Sequence, residues 1–64
     1  MEQQDLQKVF SFLNAREFAK ENSLDYNHLI KLIKGEKKLT DKMKQKIQIG
    51  LMELSLKITN IATK

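Results

Sequence analysis

Residues Asn14 to Thr40, NAREFAKENSLDYNHLIKLIKGEKKLT, constrain this chain more than any other stretch. Asn14 is a helix cap, and Glu17 three places on can close a capping box with it. Phe18 and Ala19 supply an apolar face before Asn22 and Ser23 interrupt the run. Asp25 then suits the N-cap of a second helix and the positive end of its dipole. Leu29 and Leu32 are three apart and share that helix's inner face, while Gly35 stands where a left-handed C-cap is needed. Two short helices, about Ala15 to Glu21 and Tyr26 to Lys34, joined by a few polar residues, make a helix-turn-helix.

The same residues resemble the Cro/phage-repressor (XRE) type of helix-turn-helix, without a gap. The cap Asn14, the triplet Glu17-Phe18-Ala19, the turn pair Ser23-Leu24 and the apolar Leu29 and Leu32 fall in family order. The closing Gly35 and the following Lys37-Lys38-Leu39-Thr40 complete the match, which spans about 27 of the 64 residues. It departs at Ile33, where the family often has Glu, and at Ser23, which replaces the usual Gly of the turn. Asn22 or Ser23 must therefore accept any left-handed backbone angle. The resemblance implies an all-α, lambda-repressor-like domain with a central helix-turn-helix; about four helices are expected, because one long C-terminal helix stands where the family usually has a separate short fifth helix. The resemblance also implies double-stranded DNA as partner, and a phage or other mobile element as source.

Composition agrees with one small all-α domain over residues 1–64. The chain has no Pro and two Gly, fewer than the turns of a β protein normally use. It has no Cys, so neither a disulfide framework nor a thiolate metal site supports it, which suits a reducing cytoplasm. No signal-peptide pattern opens it and no apolar run is long enough to span a bilayer, so a cytoplasmic protein is expected. Its +4 net charge is unevenly placed. Seven lysines between Lys31 and Lys46 stand against Glu36 and Asp41, a local balance of +5 that a polyanion binder needs.

In chain order, Met1 to Gln4 are expected to fray. Asp5 caps a first helix over about Leu6 to Leu13, with Leu6, Val9, Phe10 and Leu13 as its apolar stripe. Phe12 falls off that stripe, at an edge of the core or against a neighbour. Ala19 provides the small residue that two steeply crossing helices require. Thr40 caps a last helix over about Asp41 to Ile61. Met43, Ile47, Leu51, Leu54, Ile58 and Ile61 give it one continuous stripe, and Gly50 is expected to be a weak point or kink. Ile49, Met52 and Leu56 lie on roughly the opposite side. A helix apolar on both sides needs two things to bury against: its own first and third helices on one side, and on the other either the same helix of a second subunit or a first helix that wraps far enough to cover both sides.

The second helix of the motif would carry specificity. In the resembling family its outward first turns reach base edges, here Tyr26, Asn27, Ile30 and Lys31. Asn27 can pair bidentately with adenine and Lys31 can donate to guanine O6 and N7. Tyr26 can donate to a phosphate or base, and Ile30 can touch a thymine methyl. Arg16, Lys34, Lys37 and Lys38 read as phosphate contacts, which position without specifying. His28 has no companion at ligand spacing, and no nucleophile–base pair or glycine-rich phosphate loop is present. Neither catalysis, a metal, a cofactor nor a small-molecule substrate is expected.

These features point to a sequence-specific DNA-binding regulator, a Cro-like repressor acting as a homodimer on half-sites about 10 bp apart. Ile30, Ile33 and Phe12 support an alternative, a protein-binding antirepressor or inhibitor on the same scaffold, although Ile33 can instead pack under the C-terminal helix. A non-specific nucleoid or plasmid-maintenance protein would use the same lysines without discriminating bases.

Overall fold

The computed structural model describes residues 1–63. They form four helices, α1 (Asp5–Val9), α2 (Ala15–Glu21), α3 (Tyr26–Lys34) and α4 (Asp41–Ala62), with no strand among the described residues. The protein is a small all-α domain. α3 packs against both α1 and α2, and the long α4 closes the core through its first half.

The caps explain where α2, α3 and α4 begin. Asn14 Oδ1 accepts from the amides of Arg16 at 3.0 Å and Glu17 at 3.2 Å. Asp25 Oδ1 accepts from the Asn27 amide at 2.9 Å, and the Thr40 hydroxyl accepts from the Met43 amide at 3.2 Å. Each satisfies donors that a helix start leaves without an internal partner.

The two middle helices end alike. After α3, Gly35 is left-handed (φ 80°); the Glu36 amide donates to the Lys31 carbonyl at 2.9 Å and Gly35 to Leu32 at 3.2 Å. After α2 the left-handed residue is Ser23 (φ 55°), with Leu24 donating to Ala19 at 2.8 Å and Ser23 to Lys20 at 3.4 Å. Both are Schellman endings, one made with the residue that suits it and one without. Of the two residues able to take the strained angle, Ser23 takes it.

Leu6, Phe18, Ala19, Leu29, Leu32 and Ile47 form the buried core. Burying a side chain of the larger kinds among them stabilises by roughly 1.5–3 kcal/mol. Phe10 meets Phe18 edge-on, ring centroids 5.3 Å apart and planes at 72°, an arrangement the ring quadrupoles favour.

Four expectations need correction. α1 ends at Val9 rather than Leu13. The Ser11 hydroxyl donates to the Lys8 carbonyl at 2.6 Å, and Phe12 and Leu13 both turn back to the Val9 carbonyl, so the helix tightens and stops. Phe10 leaves the helix to meet Phe18, and Phe12 is left 78% exposed. Asp5 lies inside α1, where its carboxylate accepts from the Glu2 amide at 2.9 Å; Gln4 occupies the cap position.

The N-terminal residues are tied down rather than frayed. Met1 packs against the core, and the Gln3 carboxamide bridges three backbone groups. Its Nε2 donates to the carbonyls of Leu32, at 3.0 Å, and Lys37, while its Oε1 accepts from the Leu39 amide at 3.2 Å. Gln7 adds a bond from its Nε2 to the Ile33 carbonyl at 3.2 Å.

Gly50 is no weak point. It is buried within an unbroken α4, against Phe18 and Asn22, where a Cβ would lie 2.8 Å from Phe18 Cζ and 2.6 Å from Asn22 Oδ1. The missing side chain is what lets α4 approach the end of α2.

Candidate nucleic-acid interface

α3 is sharply two-faced. Leu29 and Leu32 are buried, whereas Asn27, Lys31 and Lys34 are exposed. Asn27 and Lys31 are four residues apart and therefore stand one above the other on the same outward face. The Asp25 cap occupies the Asn27 amide while the Asn27 side chain stays exposed. A carboxamide and an ammonium one helical turn apart can meet the edges of neighbouring base pairs.

Tyr26 and Ile30 are placed differently from the expectation of outward side chains. Both are half-buried, and Tyr26 packs against the core. Across the turn the exposed Arg16 guanidinium covers the Tyr26 ring, 5.0 Å from its centroid. This cation–π contact is worth about 0.5–1 kcal/mol at an exposed site. It also brings the expected phosphate contact from α2 beside the first turn of α3. Ile33, which could serve a protein-binding face or pack under the last helix, is half-buried against the core.

Lys34, Lys37 and Lys38 are exposed around the other end of α3. Gly35 turns the chain there, and Gln3 holds the Lys37 carbonyl and the Leu39 amide, so the lysine-bearing loop is anchored on both sides of Lys38. Sequence reasoning missed Gln3. A glutamine in a terminal segment reads as solvent-facing, and only the folded chain shows that it spans 34 residues of sequence to reach Lys37. The resulting surface has Arg16 at one end of α3, an amide and an ammonium along its middle, and lysines at the other. Asp25 sets one negative charge beside the Arg16 end, which a phosphate strand would avoid.

The remaining site residues, Ile49, Met52 and Leu56, are 58%, 65% and 59% exposed on α4. Among the described residues no helix is long and apolar enough to cross a membrane, and no group of three His, Asp or Glu side chains is placed to hold a metal ion. No family model, curated protein or solved structure matches this chain.

Proposed function

We propose that the protein is a sequence-specific DNA-binding transcriptional regulator of the Cro-like repressor kind, with α3 as its recognition helix. The observation that carries the reading is the exposure of Asn27 and Lys31 on one face of α3 while Leu29 and Leu32 anchor the opposite face. Asn27 reads adenine and Lys31 reads guanine in the major groove, with Tyr26 and Ile30 contributing from the edge of the same face. Arg16, Lys34, Lys37 and Lys38 neutralise the flanking phosphates. Regulation then follows from occupying a promoter.

The test is selection of bound duplexes from a random-sequence pool, followed by titration of the winner at two salt concentrations. One sequence should be enriched, and its affinity should fall steeply as salt rises. A pool that emerges unenriched, with binding as tight at the higher salt, defeats the proposal.

The alternative of an antirepressor or inhibitor that binds protein retains one specific support, the exposed Phe12. Ile30 and Ile33 lend it less, because neither stands free on the α3 surface.

A further inference from the structure

Tyr26 opens α3 and lies half-buried against the core, with no charge to offer a phosphate. Arg16, in the first turn of α2, is exposed and has one. The two meet across the turn, the guanidinium carbon 5.0 Å from the ring centroid, inside the range of about 6 Å over which a ring face attracts a cation. Arg16 is therefore held at both ends. Its amide donates to Asn14 Oδ1 at 3.0 Å, which fixes where the side chain starts, and the ring fixes where it finishes.

What the ring supplies is orientation. A guanidinium carries its N–H donors in a rigid plane that matches a phosphate bidentately. A π face holds the cation by its charge and leaves most of those donors free. An unsupported arginine loses rotamer freedom when it binds, and one already laid on a ring loses less. The platform is itself firm, because Tyr26 packs on the core beneath Arg16. A lysine in place of Arg16 would keep the charge but not the plane. Tyr26 also has a hydroxyl, but a half-buried ring under a guanidinium suits a support better than a base reader, unlike the exposed Asn27 beside it.

We infer that Tyr26 is a positioning residue: its ring is the platform that aims the Arg16 guanidinium at the DNA backbone, and its contribution to binding runs through Arg16 rather than through its own hydroxyl. This role presupposes that α3 is a DNA-recognition helix, and it names the group that sets the phosphate contact at one end of it.

The chain has one Tyr and no Trp, so its tyrosine emission reports Tyr26 alone. In the free protein, Arg16→Ala should uncover the ring and raise its quenching by acrylamide. Unchanged quenching would remove the contact and the platform with it. The remaining arms use the selected duplex and the same duplex singly mismatched. Tyr26→Phe should bind both like the parent, because it keeps the ring and loses only the hydroxyl. Tyr26→Leu should weaken both about threefold to tenfold, the scale of losing one supported contact, with the ratio between them and the circular dichroism unchanged. Arg16→Lys should do the same with the slope of log affinity against log salt preserved, whereas Arg16→Ala should lower that slope by about 1. In the Arg16→Ala background, Tyr26→Leu should cost nothing further.

The platform role falls if Tyr26→Phe relaxes the preference at one base pair, since the hydroxyl would then be reading a base. It falls equally if Arg16→Lys matches the parent, because charge alone would suffice, or if the two losses add in the double variant. Where Tyr26→Leu loosens the fold, Tyr26→Phe and Arg16→Lys decide. A parent that binds both duplexes alike and ignores salt defeats the DNA reading and this role together, an outcome kept distinct by the quenching measurement, which needs no DNA.

Discussion

Gly50 of α4 lies so close to Asn22 at the end of α2 that a Cβ added to it would sit 2.6 Å from the Asn22 Oδ1. Asn22 has little room to yield, because its Nδ2 donates to the Phe18 carbonyl at 2.9 Å and the Phe18 ring tip would be 2.8 Å from the same Cβ. Intrinsic propensity and packing therefore disagree in sign. Alanine in a helix interior is favoured over glycine by about 1 kcal/mol, whereas overpacking a close contact costs roughly 1–3 kcal/mol. We expect packing to win, and Gly50→Ala to lower stability by about 1 kcal/mol in a urea titration. A rise in midpoint would mean that Asn22 and Phe18 swing away and that the glycine is only a propensity defect.

Ser23 makes the opposite case. Its φ of 55° places a residue with a Cβ where glycine is at ease. Gly35 shows the same ending made without strain. Part of the relief gained by Ser23→Gly is returned as extra freedom of the unfolded chain. The net expectation is a gain of about 0.5–1 kcal/mol, or a rise in melting temperature of roughly 2–8 °C for a domain this size. An unchanged melting temperature would place Ser23 outside the left-handed region.

The Gln3 clasp separates shape from chemistry. Gln3→Ala removes one acceptor and one two-bond donor, leaving the half-buried Leu39 amide and the Leu32 carbonyl without this partner. At about 1 kcal/mol per bond, the loss should fall near 1–3 kcal/mol. Gln3→Glu has the same shape and can still accept from Leu39, but sets a carboxylate against the carbonyls of Leu32 and Lys37. It should be no better than alanine at neutral pH, and the 35–40 loop should be cut faster by trypsin in both variants. A glutamate variant as stable as the parent would mean the donor bonds contribute nothing.

The caps, the turn and the length of α4 were legible because each rests on short-range chemistry: Asn14, Asp25 and Thr40 bond amides two or three residues away. The core was legible for the same local reason, through the spacing of Leu29, Leu32 and Ile47. What escaped was long-range. Nothing near Gln3 in sequence announces carbonyls 29 and 34 residues away, and Gly50 reads as a flaw until Asn22 is seen against it. α1 was overextended because the Leu6, Val9, Phe10, Leu13 spacing is helical whether or not the chain stays helical; the Ser11 hydroxyl and the pull of Phe18 on Phe10 end it. At the candidate interface, Asn27 and Lys31 stand where spacing put them, while Tyr26 packs on the core and is covered by Arg16, a contact that spacing does not reveal.

Lys31 and Lys37 offer the sharpest division within the proposed DNA surface. Both are exposed ammonium groups, so charge alone cannot distinguish them. Lys31 rides the outward face of α3 above Asn27, where it can enter a groove; Lys37 sits on the loop whose carbonyl Gln3 holds, beyond the helix end. Lys31→Ala should therefore cost about 1–3 kcal/mol on the preferred duplex and little on one already mismatched at its base pair. Lys37→Ala should weaken matched and mismatched duplexes alike and reduce the slope of log affinity against log salt by about 1. Titrating both variants against the matched and singly mismatched duplexes at two salt concentrations reads all of this. Equal losses for the two lysines on every duplex would place Lys31 on a phosphate, and the recognition role would have to pass from α3 to another element.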